Sequence, residues 1–110
     1  MKTVHNLGEF EQLVLLAILR LQGDGAYGVT IRSEIAQYTE RDPAPGSIYT
    51  TLDRLENKGF VKSEAGESTP QRGGRSKRYY HVSAQGLSAL KRAMNEYKIL
   101  ARGLTVLGES

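Results

Sequence analysis

The sequence predicts a mainly α fold with one small β-hairpin. Three observations carry this. Four stretches place apolar residues at helical spacing. A single region, from Phe60 to Ser83, breaks that period and alternates instead. The chain has 110 residues and no Cys, so one small hydrophobic core must hold it, without disulfides.

The first helix is expected over Glu9 to Leu21. Phe10, Leu13, Val14, Ala17 and Leu21 share one face, and Leu15, Leu16, Ile18 and Leu19 widen it to most of the circumference. Such a helix is expected to be buried on several sides, in a core or a subunit interface. Gly23 is well placed to cap it. The second helix is expected from about Tyr27 to Tyr38. Val29, Ile31, Ile35 and Tyr38 are its expected inward positions, with Arg32, Glu34 and Gln37 facing out. Pro43 and Pro45 then forbid helix over Thr39 to Pro45. The third helix starts near Pro45 or Gly46, where proline is tolerated in a first turn, and ends at Lys58 before Gly59. Its apolar stripe is narrow: Ile48, Leu52 and Leu55. The rest of its surface is short and polar, with Ser47, Thr50, Thr51, Asp53 and Arg54, and Tyr49 beside them.

Phe60 to Ala65 and Lys77 to Ser83 read as two strands of a hairpin. Tyr80 and Val82 fall on one face, Tyr79 and His81 on the other. The intervening GESTPQRGGRS is longer than a tight turn and reads as an extended tip. Ser83 is a good N-cap, and the helical period resumes at Ala84. Leu87, Leu90, Met94, Tyr97, Ala101 and Leu104 then step by three and four, a heptad-like stripe. Residues 6–83 are expected as one unit and 84–106 as a C-terminal helix of the same compact body.

Charge is unevenly placed. Residues 1–67 hold seven Lys or Arg against ten Asp or Glu, whereas residues 68–95 hold six Lys or Arg and no acid. One basic segment on an otherwise acidic chain points to a polyanion contact. The order helix, helix, turn, helix, hairpin, helix is that of a winged helix-turn-helix followed by one further helix. In such a unit the helix after the turn enters the major groove, provided its outer face is free of bulky packing. Gly46, Ser47, Tyr49, Thr50, Thr51 and Arg54 are the candidates for that contact. The hydroxyls can bond phosphates or base edges, and the threonine methyls can meet a thymine methyl. Tyr49 either donates to a phosphate or packs as a core aromatic; Arg54 either meets a phosphate or pairs on a solvated face. In the hairpin, Arg72, Gly73, Gly74, Arg75 and Lys77 are the candidate wing contacts. Arginines there neutralise phosphates or enter a minor groove, and the glycines allow close backbone approach. One of Lys77 and Arg78 is expected to face away from DNA.

Other chemistry finds little support. His5 and His81 sit in different elements, so no metal site is expected. Ser47 lacks His and acid partners, no phosphate-loop pattern occurs, and no cofactor is implied; the chain is not expected to be an enzyme. No apolar run approaches the roughly 20 residues that span a bilayer, and the first residues lack an apolar signal core, so a cytoplasmic location is expected.

The segment GSIYTTLDRLENKGFV (Gly46 to Val61) followed by GGRSKRYYHVSAQG (Gly73 to Gly86) resembles the PadR family of bacterial transcriptional regulators. The opening LGEFEQLVLLAIL (Leu7 to Leu19) and AYGVTIRSEI (Ala26 to Ile35) are similar to the same family's first two helices. The resemblance covers roughly residues 6–104, with four pieces in the right order. It implies a winged-helix DNA-binding domain, a dimerisation helix at Ala84 to Leu104, and a homodimeric repressor. It places the recognition helix on Gly46 to Arg54, with a recurrent tyrosine at Tyr49, and the wing on Gly73, Gly74 and Arg75. Some small members bind flat aromatic drugs between paired tryptophans at the dimer interface. This chain has no Trp, and Tyr97 is the aromatic left to serve a small aromatic effector or ordinary dimer packing.

The stripe Leu87, Leu90, Met94, Tyr97, Ala101 and Leu104 points to dimerisation without the resemblance, because a monomer would expose much of it. A two-fold dimer presents two recognition helices about one DNA turn apart, which implies a pseudo-palindromic double-stranded operator. The alternative is a winged-helix module that uses the same face for a protein partner, without specific DNA binding.

Overall fold

Three helices, α1 (Glu9–Arg20), α2 (Gly28–Tyr38) and α3 (Pro45–Asn57), precede an antiparallel hairpin of β1 (Val61–Ser68) and β2 (Ser76–Val82). A long helix, α4 (Ala84–Ala101), and a single 3-10 turn at Thr105–Leu107 follow. The computed structural model describes residues 7–22, 25–68 and 76–108. The expected cap Gly23 and the wing residues Arg72, Gly73, Gly74 and Arg75 lie outside the described residues.

Helix α1 begins where the Glu11 carboxylate accepts from the Gly8 backbone N–H at 2.8 Å. Glu9 and Glu11 occupy its first turn and Arg20 its last, each on the side that the helix dipole favours. Val14, Leu15, Ala17 and Ile18 are buried, and Leu13, Leu16 and Leu19 pack around them. The wide apolar face is thus used within the chain itself, against α2, α3, β2 and α4.

Helix α2 starts at Gly28, where the Tyr27 N–H donates to Thr30 Oγ1 at 3.0 Å and the Thr30 hydroxyl lies 2.9 Å from the Gly25 carbonyl. Ile31 and Ile35 face the core as expected. Val29 and Tyr38 do not: they are 63% and 57% exposed. Val29 lies two residues from Ile31, on the opposite side of a 3.6-residue turn. Tyr38 ends the helix beyond the core, and the Arg20 guanidinium stacks over its ring at 3.8 Å.

Helix α3 opens on Pro45 and buries Ile48, Leu52 and Leu55 completely. Thr51 is also buried, which corrects the expectation that it belongs to the exposed polar surface of the helix. It sits three residues after Ile48 and four before Leu55, so helical spacing draws it into the same stripe. Gly59, at φ +81°, turns the chain out of the helix, a conformation that suits a residue without Cβ.

The strands pair Val61 with Val82, Ser63 with Tyr80 and Ala65 with Arg78, with an irregularity between Ala65 and Ser68. Strand β1 runs on to Ser68 and β2 begins at Ser76, so the strands take up part of the expected tip. Tyr80 is buried and Val82 packs against the core, while His81 is exposed. The Tyr80 N–H also donates to the Ala26 carbonyl at 2.8 Å, which ties the segment before α2 to β2.

Ser83 caps α4 as expected: its Oγ accepts from the Gly86 N–H at 3.0 Å and donates to the Gly59 carbonyl at 2.6 Å. Ala89 and Leu90 complete the core, and beyond Leu90 the helix is largely exposed. It ends at Ala101, short of Leu104, and Gly103 adopts φ +81°.

Candidate nucleic-acid interface

Helix α3 turns Gly46, Ser47, Tyr49, Thr50 and Arg54 to solvent. The side chains of Ser47, Thr50 and Arg54 make no hydrogen bond or ion pair with a described residue. Gly46 has open space where a Cβ would sit. A helix of this kind offers small donors and acceptors close to its axis, which a base edge or a phosphate can reach.

Tyr49 is half-exposed, so it does not pack as a core aromatic. Its phenol lies against Gly28 at the start of α2: a Cβ on Gly28 would stand 2.2 Å from Tyr49 Oη. The glycine therefore lets α3's aromatic cross the first turn of α2 while part of the ring stays open.

Three contacts hold α3 in place. Lys58 Nζ donates to both Glu11 carboxylate oxygens, at 2.9 and 2.8 Å, joining the end of α3 to the start of α1. Arg32 on α2 donates to Asp42 at 2.9 Å and to the Pro43 carbonyl, bracing the turn before α3. The Ser63 hydroxyl on β1 donates to Glu56 at 2.7 Å and accepts from Arg78 at 2.9 Å, linking α3 to the hairpin. Beneath this link, burial pushes the Tyr80 phenol above its ordinary value, and the nearby Glu56 and Asp53 carboxylates push the same way. Sequence reasoning placed Arg32 only as outward-facing and gave Lys58 and Ser63 no role. Their partners lie 10, 47 and 7 residues away, and no local spacing reports such pairs.

In the hairpin, the Lys77 ammonium sits 4.1 Å from the centre of the Tyr27 ring, which itself meets Tyr79 edge-on at 5.6 Å. Lys77 is thus engaged at the tip end of β2, and Arg78 is engaged with Ser63. His81 lies 3.2 Å from Glu64 on the exposed face, and no group of metal-ligating residues occurs among the described residues. On α4, Leu90 belongs to the chain's own core, Ala101 is half-buried, and Leu87, Met94 and Tyr97 are exposed, as is Leu104 beyond the helix. No helix among the described residues is long and apolar enough to cross a membrane.

Comparisons with known proteins agree with this architecture. A solved PadR family transcriptional regulator from Eggerthella lenta DSM 2243 is 25% identical, with a TM-score of 0.67 over 93% of this chain and 88% of that one. A PadR-like transcriptional regulator from Bacillus cereus strain ATCC 14579 is 20% identical, with a TM-score of 0.68 over 92% of each chain. F93 from STIV, a winged-helix DNA-binding protein, is 16% identical, with a TM-score of 0.64 over 89% of this chain and 98% of that one. The two lower identities bear on the fold alone. No curated protein matches the chain. The model of the transcriptional regulator PadR-like family matches residues 15–92. With that match over most of its length, and a winged helix-turn-helix built as described, the chain belongs to the PadR-like family of transcriptional regulators.

Proposed function

We propose that the chain is a homodimeric repressor that reads a pseudo-palindromic operator through the outer face of α3. The observation that carries this is the state of that face: Ser47, Thr50 and Arg54 are exposed and unengaged by described residues, while Arg32, Lys58 and Ser63 hold the helix rigid behind them. A rigid helix with free polar side chains is what base readout needs. Dimerisation is supported by the exposed apolar residues of α4 and the tail after it, among them Tyr97, Leu100 and Leu104. In this reading Arg72 and Arg75 neutralise backbone phosphates. A small aromatic effector would act at the α4 interface, near Tyr97, by binding the two dimer states unequally.

The test is selection of bound sites from random duplexes at two salt concentrations. The expected result is an inverted repeat with half-sites about one helical turn apart, bound more weakly as salt rises. Recovery of no preferred sequence would leave α3 as a surface for a protein partner instead.

A further inference from the structure

We propose that the open cleft between the first turn of α1 and the outer side of α3 seats one backbone phosphate of the bound duplex, beside the bases that α3 reads. This rests on the DNA-binding reading above and adds a second contact to it. The cleft measures about 820 Å³. One wall runs from Gly8 to Glu11; the other carries Ser47, Thr50, Thr51 and Arg54, with Lys58 at its end.

Thr51 is the informative residue. It is 5% exposed, it lines the cleft, and it makes no hydrogen bond with a described residue. No buried side-chain N or O among the described residues is wholly shut off from both solvent and partners. Its hydroxyl is therefore reached from the cleft, the space that it lines. Ser47 and Thr50 add two further unengaged hydroxyls, because positions 47, 50, 51 and 54 share one side of a helix.

Charge favours an anion there. Both acids of the opposite wall are compensated. Glu11 receives Lys58 at 2.8 and 2.9 Å and the Gly8 N–H at 2.8 Å, and Glu9 pairs with Arg41 at 2.8 Å. Arg54 makes no ion pair with a described residue. Three hydroxyl donors and one guanidinium thus face a space whose carboxylates are each already paired with a cation, Glu11 with Lys58 at the cleft's own end and Glu9 with Arg41. A phosphodiester, with one charge and several acceptor oxygens, matches that set, and a guanidinium can bind it with two N–H groups. The cleft shares Ser47, Thr50 and Arg54 with the proposed reading face, so a strand lying along α3 passes over it.

The test uses the duplex recovered by site selection, made with a single methylphosphonate at each backbone position in turn. Wild-type protein is expected to lose about tenfold in affinity at one position per half-site. The Thr51→Val, Arg54→Gln double variant is expected to become indifferent to that position, and its salt slope to fall by about one per protomer. Thr51→Ser keeps the hydroxyl and is expected to bind as wild type, which separates a lost donor from disturbed packing. If the double variant remains sensitive at the same phosphate, the cleft proposal is overturned while DNA binding stands. The proposal is also overturned if inorganic phosphate raises the melting temperature of wild type but not of the double variant while no methylphosphonate position distinguishes the two proteins. If wild type selects no duplex, the DNA-binding reading itself fails.

Discussion

Gly86 leaves no room for a side chain: a Cβ there would stand 2.1 Å from the Phe60 carbonyl oxygen, on the backbone. Gly86→Ala must part α4 from the start of β1. A loss of about 2–3 kcal/mol is expected by urea denaturation, in the range of other overpacked sites. Gly46 is the opposite case, with nothing within 4 Å of a Cβ on an exposed helical turn. Gly46→Ala is expected to stabilise the fold by about 0.5–1 kcal/mol. If Gly46 allows α3 to approach DNA closely, the same variant binds the operator more weakly. Stability and affinity measured on one variant then separate the two roles. Tyr80 gives a pH prediction. Its folded pKa is raised above the ordinary value of about 10, by burial first, so its stabilising contribution is complete below that pH. As pH rises through the folded value, the unfolded state has already released its proton and the contribution disappears. Urea midpoints of wild type should fall faster above pH 10 than those of Tyr80→Phe, and parallel profiles would refute this.

Elements are placed by contacts that cross between them. The turn before α3 is held by Arg32, which binds Asp42 and the Pro43 carbonyl. Its partners are largely at the surface, so Arg32→Ala is expected to cost only about 1 kcal/mol of stability. The same change loosens the approach of α3, and operator affinity is expected to fall by about tenfold, because a misplaced helix loses several base contacts at once. A loss of affinity no larger than the loss of stability would show that the turn does not position α3. The link from Glu56 through Ser63 to Arg78 fixes the hairpin against the same helix. At this scale much was legible in the sequence. The Ser83 cap, the narrow stripe of Ile48, Leu52 and Leu55, and the change of period after Gly59 all depend on neighbours within one or two turns. Thr51 escapes such a reading because polarity does not report exposure: its spacing places it in the buried stripe despite its hydroxyl.

At the scale of the whole molecule, α4 is divided between two uses. Its first turns enter the core through Gly86, Ala89 and Leu90, and the residues after them leave the body behind. Leu100 is 80% exposed, so the monomer gains almost nothing from it. Leu100→Glu with Tyr97→Glu is therefore expected to leave the helical content unchanged. Sedimentation should shift from dimer to monomer, and operator affinity should fall by about 100-fold, since two half-sites are no longer bound together. A variant pair that remains dimeric would place the interface elsewhere.

The order of elements, the inward stripe of α3 and the cap of α4, and with them the winged-helix class, are legible from the residues alone. Those features follow from period and from side chains close along the chain. It takes the packing of the helices to turn Thr51 to a cleft and Val29 and Tyr38 outward, and to bring Lys58 onto Glu11 from 47 residues away. Such outcomes depend on which surfaces meet once the helices pack, and that geometry is written in no single stretch of residues.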